Sequence, residues 1–547
     1  MNKGILLIKV LVLFIVITMI NDETKAQQRR QIVIEQANQM RNLKLDGREI
    51  RRLLGDVIIR HEDVTMKCDS AYEYMGTNRF DAFGRVVVIQ ETTTLYGDTL
   101  RYDGNTKKGK VRGKIVRLVD EDATLITRFI DFDTNQNTAV FYNGGIITTT
   151  DSRFSSRRGT YYSNQKKFAF AGDVRFLDPD ILLNTDSLEY FSNDEVFRFY
   201  GPSRIYNEDN YLYSERGWYN KKENKSEFFV NAYIDNATQR VFGDRIFYDR
   251  NLGFAHITGN GCIIDTSRNL TMYGNDIKFF EETENAEVKG NPLAIYISEE
   301  SDSLFLRADL LKGISVKDSI HADSTLYRLL KGIGSVRFFR NDLQGVSDSM
   351  VFHSVDSTLH MYSEPIIWNE DNQLSADNIN ILFKNENIHR MFFNGSSFIA
   401  SQEDSTRFNQ IKGREMIGYF TQGKLTRLDV IGNGETVYFG RDQGEISMVN
   451  KAESSRLTIS IRDNKVTNIM FREKPSATLF PIDKVELQDV MLRGFAWQID
   501  KRPKRKEDVI PKGLNIDFYI LQEKKAVEFK DKRENPAESI ETAGLKK

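Results

Sequence analysis

The chain is organised by an alternation of apolar and polar residues that repeats about every 29 residues. A glycine followed by alternating apolar residues recurs, and the steps between copies from Gly55 to Gly201 are 29, 29, 31, 28 and 29. A fixed period of this length is typical of repeat proteins, in which each unit stacks on its neighbours. The copies begin at Gly55, Gly84, Gly113, Gly144, Gly172, Gly201, Gly261 and Gly290.

A second pattern, Asp-x-Leu-x-Tyr, follows the first by about fourteen residues and keeps the same period. Its clearest copies are Asp98–Tyr102, Asp186–Tyr190 and Asp244–Tyr248. Both patterns have period two, are rich in Val, Ile, Tyr and Phe, and end in turn residues, which indicates strands with one buried face. A unit of ~29 residues at ~3.3 Å per residue holds two strands and cannot bury its apolar face alone.

These patterns predict an all-β fold, an elongated stack of repeats, with a solenoid as the related alternative. The region after Gly290 departs from the period, with an insertion that includes a short helix around Leu326–Leu330. The predicted segments are a signal peptide (1–26), N-terminal repeats (27–310), an insertion (311–333), a second β segment (334–445), a β-rich C-terminal cap (446–500) and a charged, largely disordered tail (501–547).

The N-terminus has the layout of an export signal. Lys3 and Lys9 precede an apolar stretch from Val10 to Ile20, which is short for a membrane span of about 20 residues. Small and polar residues up to Ala26 predict cleavage after that residue, with retention as an uncleaved anchor as the alternative.

Composition argues against several functional classes. The net charge is −2 and cationic residues alternate with anionic ones, so there is no electrostatic footprint for nucleic acid. The two cysteines, Cys68 and Cys262, are too few for a disulfide scaffold or a cysteine zinc site and are predicted to be buried. The six histidines lack metal-ligand spacing, and no nucleotide or nucleophile motif is recognisable. We therefore predict no cofactor, no metal and no enzymatic activity.

The repeated aspartates could instead line a catalytic groove or bind calcium. Calcium-binding repeats need denser, glycine-rich nonapeptide spacing, which is absent here. A structural role for these carboxylates, through local hydrogen bonds to backbone N–H groups, is the prediction.

The two patterns behind a signal peptide resemble the OstA-like (organic solvent tolerance) family, whose β-jellyroll proteins carry lipopolysaccharide across the periplasm to the outer membrane. Further along, Phe408–Arg414, Asp429–Gly434 and Leu492–Trp497 are similar to the longer, double-length members. No even series of lipid-facing strands follows them, so we expect the form without the outer-membrane barrel.

This resemblance implies a β-jellyroll of two sheets, V-shaped in section, with an apolar inner groove. It also implies binding of the lipid A acyl chains of lipopolysaccharide, transport in the periplasm with possible association to the outer membrane, and a contribution to outer-membrane assembly. The implied protein partners are the inner-membrane export complex, the jellyroll domains of the outer-membrane translocon, and further copies joined head to tail. The groove candidates are Val57, Val86, Val88, Leu100, Tyr102, Ile130, Val174, Leu188, Tyr190, Ile246 and Tyr248.

An alternative from another class remains open at this point. The same repeat suits an exported β-solenoid that acts as an adhesin or as a polysaccharide-cleaving enzyme.

Overall fold

The computed structural model describes most of the chain after residue 30. The described residues are 31–121, 123–207, 210–236, 238–297, 303–317, 326–385, 387–462, 465–521 and 524. The predicted signal peptide, and residues 525–547 of the predicted tail, lie outside the described residues. The chain divides into two compact units, unit 1 (Met1–Pro179) and unit 2 (Asp180–Lys547).

Unit 1 is built of antiparallel strands. β1 and β2 both pair with β3, and every later strand pairs with the next one in the chain. Its strands are β1 (Val33–Gln36), β2 (Gln39–Leu45), β3 (Arg48–His61), β4 (Val64–Tyr74), β5 (Arg79–Gln90), β6 (Thr93–Asp103), β7 (Lys108–Asp120), β8 (Ala123–Asp133), β9 (Thr138–Thr148), β10 (Arg153–Tyr162) and β11 (Lys167–Leu177).

Unit 2 begins with the same arrangement. Its first strands are β12 (Leu182–Phe191), β13 (Val196–Asn207), β14 (Asn210–Asn220), β15 (Lys225–Asp235), β16 (Gln239–Asp249), β17 (Phe254–Asp265) and β18 (Leu270–Phe280). The next strands, most of them shorter, are β19 (Asn285–Lys289), β20 (Leu293–Ile297), β21 (Ser303–Arg307), β22 (Leu310–Lys317), β23 (Leu326–Phe339), β24 (Gln344–His353), β25 (Thr358–Tyr362), β26 (Ile366–Asn369), β27 (Asn372–Ser375) and β28 (Asn378–Lys384). The last are β29 (Asn387–Gln402), β30 (Phe408–Thr421), β31 (Lys424–Asp442), β32 (Glu445–Arg462), β33 (Lys465–Arg472) and β34 (Ser476–Pro481).

A β-bulge near the middle of most long strands divides the sheet of each unit into two layers. In β5, for example, the pairing with β6 shifts between Phe83 and Val86, and bulges bend the strand that contains them. We call layer A the half-sheet that contains Leu100 in unit 1 and Leu188 in unit 2. Layer B is the half-sheet that contains Val88 in unit 1 and Leu183 in unit 2.

The two layers are formed by separate strands directly after β18, and β23 and β29 again run through both. β18 pairs with β19 through residues 276–280 in layer A and with β20 through residues 270–273 in layer B. Strands account for 72% of the described residues. The predicted all-β fold of repeated antiparallel units in two sheets is therefore confirmed.

The repeating glycines lie at these bulges. Gly55, Gly84, Gly172 and Gly259 have φ angles of 74°, 75°, 77° and 70°. Residues with a Cβ rarely adopt this left-handed region, whereas glycine adopts it freely. The bend of the strand therefore accounts for the glycine in the first sequence pattern.

The acidic residue of the second pattern lies directly against the next glycine. A Cβ added to Gly84 would lie 2.4 Å from Asp69 Oδ2, and one added to Gly259 would lie 2.5 Å from Asp244 Oδ2. The carboxylate is also paired, since Arg85 Nε donates to Asp69 Oδ1 over 2.7 Å. This contact locks the two patterns in phase and gives the aspartates a structural role at the bulge.

Two positions differ from the predicted glycine column. Gly259 occupies the bulge and Gly261 does not, because Gly261 packs against Gly274, where its Cβ would lie 2.6 Å from the carbonyl oxygen. One period after Gly201, the bulge position is filled by Val230, whose φ is 61°. A β-branched residue in this region is strained.

The predicted insertion at 311–333 stays a prediction as a segment, but the helix expected within it is incorrect. β22 pairs with β23 from Leu310 opposite Ile333 to Lys317 opposite Leu326, so the expected helix around Leu326–Leu330 is a strand. Residues 318–325 lie outside the described residues. Pairing with strands on either side overrides the local preference for helix.

The predicted disorder from residue 501 is also incorrect up to residue 521. Short 3-10 turns form at Ile499–Lys501 and Lys506–Asp508, and residues 516–521 are helical. Val509 and Tyr519 are 0% and 4% exposed. The tail is ordered here because its few apolar residues find a surface on the sheet.

We expect Val230→Gly to stabilise the protein by about 1 kcal/mol, because it removes the strain of a left-handed valine at the bulge. Chemical denaturation of the variant and the parent measures the difference. The reciprocal control, Gly259→Val, should destabilise, since it introduces the same strain beside Asp244. An unchanged or lower stability of Val230→Gly would show that this position carries no strain.

Candidate functional site

The space between layers A and B is lined by apolar rows that cross the strands. In unit 1 both rows are buried. The layer A row is Leu53, Ala71, Ala82, Leu100, Val111, Ile130, Phe141, Gly159 and Phe170. The layer B row is Ile59, Met66, Val88, Leu95, Leu118, Leu125, Ile147, Phe154 and Phe176, all at most 5% exposed.

A small cavity shows that the layers of unit 1 face each other. Its walls include Leu95 and Leu118 from layer B and Phe132 and Tyr161 from layer A, and its volume is about 60 Å³. Ligand pockets usually measure about 300–1,000 Å³. The interior of unit 1 is thus a closed core in this conformation.

Polar bridges close the rim of unit 1, where turns of the two layers approach each other. His61 Nδ1 and the Tyr102 hydroxyl are 2.7 Å apart, and both side chains are buried. Lys107 Nζ lies 2.7 Å from Glu62 Oε2. Each bridge joins a residue at the end of layer B to one at the end of layer A.

The third bridge is centred on Asp120, which is 3% exposed. Its carboxylate accepts hydrogen bonds from Thr92 Oγ1 at 2.6 Å, from Lys166 Nζ at 3.1 Å and from the Tyr161 hydroxyl. Burial opposes ionisation, but these bonds outweigh it and hold the pKa of Asp120 below its ordinary value. Asp120 is therefore ionised at neutral pH and joins the two layers as a charged hydrogen-bond acceptor.

In unit 2 the layer A row is likewise buried near the bulge. Leu188, Phe199, Phe228, Ile246, Ile257, Ile277 and Val288 form it, with Gly217 between Phe199 and Phe228. The layer B row of unit 2 faces this layer A row. A Cβ added to Gly243, in layer B, would lie 2.5 Å from Cγ2 of Ile257, in layer A.

The layer B row of unit 2 is partly exposed over six strands. The residues pair directly across neighbouring strands, from β13 to β18. Ile263 is 7% exposed, and the other five have a larger exposed fraction. We call this row the window: Ile205, Leu212, Ile234, Val241, Ile263 and Met272.

Layer A is also partly exposed at its rim, from β12 to β18. Tyr190, Tyr219, Tyr248 and Phe279 are all partly exposed. Burial, followed by nearby acidic groups, raises the pKa of Tyr190 and of Tyr248 to about 12. The phenols of Tyr190 and Tyr248 are therefore neutral at physiological pH.

The eleven groove candidates from the sequence all lie on the inner face. Nine of them are at most 5% exposed and belong to the core: Val57, Val86, Val88, Leu100, Tyr102, Ile130, Val174, Leu188 and Ile246. Tyr190 and Tyr248 are partly exposed and lie at the rim near the window. Contact of any of these residues with a ligand stays a prediction.

Sequence reasoning missed the window residues. The available signal is an interruption of the alternation, since Tyr211-Leu212-Tyr213, Tyr233-Ile234 and Val241-Phe242 are consecutive apolar residues. Such runs are typical of strands covered on both faces.

No group of three or more His, Cys, Asp or Glu side chains in the described part of the chain could hold a metal ion. Within the same residues, no helix has the length and apolarity to cross a membrane. Cys68 and Cys262 are buried and do not form a disulfide.

We expect Asp120→Asn to destabilise unit 1 by about 1.5–3 kcal/mol at pH 7, because three donors lose a charged acceptor. Denaturant-induced unfolding, followed with hydrogen exchange in β7 and β10, measures the loss. A carboxyl group whose pKa is lowered by folding stabilises the folded state at pH values above its pKa in the unfolded chain. This contribution is lost as the pH falls through its pKa in the folded state. The difference between variant and parent should therefore be constant from about pH 5 to 8 and shrink below about pH 4.

The matched control is Glu121→Gln, because Glu121 also pairs with Lys166, at 3.2 Å, but its side chain is 58% exposed. We expect it to change stability by less than about 0.5 kcal/mol. Equal losses of stability in the two variants would contradict the central role of Asp120 in this bridge.

Residues 29–186 match the model of a family described as OstA-like protein. A search of curated proteins gave no significant match. Among solved structures, the chain is similar to LptH from Pseudomonas aeruginosa, described as the LptA homologous periplasmic component of the conserved lipopolysaccharide transport device. That similarity covers 25% of this chain and 81% of LptH at 14% identity, with a TM-score of 0.14. The OstA-like resemblance indicated by the sequence motifs is confirmed by the family match over residues 29–186.

Proposed function

We propose that this protein binds lipopolysaccharide in the periplasm and carries it between the inner and outer membranes, contributing to outer-membrane assembly. The observation that carries the proposal is the window, a continuous apolar row that a folded protein leaves partly exposed between two layers. The OstA-like match over residues 29–186 supports lipopolysaccharide as the ligand.

The window suits acyl chains for physical reasons. Its six residues on neighbouring strands span about 24 Å at ~4.8 Å per strand. Moving an acyl chain into water costs ~0.8 kcal/mol per methylene, on the order of 10 kcal/mol for fourteen carbons. A row of similar aliphatic side chains shelters the chain at each rung with nearly equal free energy, so the lipid can slide along it.

Passage through unit 1 requires its layers to separate. The bridges at His61, Glu62 and Asp120 would be the contacts that open, with the apolar rows behind them taking up the acyl chains. We propose that this closed core opens to form the groove of unit 1, since the seven predicted groove residues of unit 1 lie buried on its two layers.

Edge strands offer sites for the protein partners. β2 pairs with β3 along one edge, and all seven of its residues are exposed. An edge strand of this kind can be extended by a strand from another protein. We propose that the jellyroll domains of the export complex or translocon, or a second copy of this chain, pair there.

A photo-crosslinking residue placed at Leu212 or Val241 should capture lipopolysaccharide, because both positions lie in the window. Immunoblotting for lipopolysaccharide on the purified adducts measures capture. The matched control is Ile115, which is 62% exposed and lies at the bulge of β7 in unit 1. Capture at Ile115 equal to that at the window, or adducts to a glycan without lipid at all three positions, would contradict the proposal.

A further inference from the structure

The C-terminal segment of unit 2 packs on layer B. Residues 482–521, which we call the strap, contribute to two buried clusters. In the first, Val490 and Leu492 pack against residues of β29, β31 and β32, which are Phe398, Ala400, Val437, Phe439 and Val449. In the second, Val509 and Tyr519 pack against residues of β14 to β18 and β20, which are Tyr211, Tyr213, Tyr233, Phe242, Cys262, Tyr273 and Leu293.

The strap covers the outer face of layer B, opposite the window. Tyr213, Tyr233, Phe242, Cys262 and Tyr273 pair directly across the strands, one residue away from the window row. Adjacent residues of a strand point to opposite faces. Since the window row points towards layer A, the row beneath the strap points away from it.

Three buried glutamines hold the strap, two by its main chain and one by a side chain. Gln410 Nε2 donates to the Val490 carbonyl oxygen at 3.3 Å, and its Oε1 accepts from the Leu492 amide at 2.9 Å. Gln373 repeats this arrangement with the Ala496 oxygen at 2.6 Å and the Gln498 amide at 2.7 Å. The third, Gln344, accepts from the Arg502 guanidinium, with Nη2 at 2.7 Å.

These glutamines give the strap a fixed register on the sheet. They are 2–3% exposed beneath the strap, and each hydrogen bond of this kind contributes about 0.5–1.5 kcal/mol to the docked arrangement. The motif at Leu492–Trp497, prominent in the sequence, is the part of the strap held between Gln410 and Gln373.

Layer B of unit 1 presents a different outer face. Tyr96 and Leu177 are 36% and 43% exposed there. That layer obtains its apolar burial from the inner face, which is packed. In unit 2 the strap supplies burial on the outer face, with aromatic side chains that bury about 150–250 Å² each. The inner face can then stay partly exposed without loss of the sheet.

We propose that the strap keeps the window open, so that it determines where along the chain acyl lipid enters. The inference rests on the proposed function for the identity of the ligand, while the opening itself is a property of the free protein. Strap docking and lipid binding then favour each other, and the coupling is reciprocal.

The first test needs no lipid. A thiol is placed in the window as Leu212→Cys, with Cys68→Ala and Cys262→Ala removing the native thiols, and its maleimide labelling rate is measured in the full chain. We expect Tyr519→Ala to slow labelling at position 212 at least fivefold, because a loosened strap lets the window close. Unchanged or faster labelling would overturn the inference.

Two further variants make this test specific. Ile520→Ala is the matched control, because Ile520 neighbours Tyr519 but is 47% exposed, and it should leave labelling unchanged. Val509→Ala loosens the same cluster by a smaller change and should slow labelling at least twofold, which keeps the test valid if Tyr519→Ala does not fold.

The second test adds lipid and uses Cys262, which is 0% exposed beneath the strap. In a Cys68→Ala background it is the sole thiol, and its labelling reports strap release. Lipopolysaccharide should slow this labelling at least threefold in the parent. Faster labelling would show that strap and lipid compete, which overturns the inference.

The two hypotheses fail in different ways. Absence of lipopolysaccharide capture at positions 212 and 241, with the expected labelling at position 212, would rule out lipopolysaccharide as the ligand. The proposed role of the strap would then still hold. Capture in the parent that persists unchanged in Tyr519→Ala would keep the function and overturn the role of the strap.

Discussion

The structure depends on the bend at the middle of each long strand. In several copies a left-handed glycine at the bulge faces a carboxylate from the preceding strand, as Gly84 faces Asp69, whereas Gly55 faces Asn38 and Gly172 faces Arg157. Glycine provides the backbone conformation, and the acid fills the space that a Cβ would occupy and pairs with the residue that follows. Repeated along the chain, this contact converts one antiparallel ladder into two facing layers.

The two layers enclose an inner space. Whether that space is packed or partly open depends on how much apolar surface the layers bury on their outer faces. A layer whose outer face is in water must bury its inner side chains, as in unit 1, where even the rim is closed by the Asp120 hydrogen bonds. A layer covered on its outer side can leave its inner row open. Unit 2 has this arrangement, because the strap covers Tyr213, Phe242 and their neighbours.

Sequence patterns were sufficient for the architecture because the bulge has a local signature. Gly84 and Asp98 belong to patterns of fixed spacing, and alternation identifies the inner face. The window could not be found in the same way, since Leu212 and Leu100 look alike in sequence, yet one is partly exposed and the other buried. The difference arises from Tyr519, some 300 residues later in the chain, and the run of apolar residues at Tyr211–Tyr213 indicates a covered outer face without identifying the segment that covers it. The ordered structure of residues 501–521 was not predicted, because Val509 and Tyr519 lie among charged residues in the sequence.

The central claim is that acyl chains lie between the layers along the window. The most direct measurement is an experimental structure of the chain with bound lipopolysaccharide. We expect density for the acyl chains to run across β13 to β18, in contact with Leu212 and Val241 on one side and with Tyr248 on the other. Lipid density on an outer face, with the window empty, would contradict it.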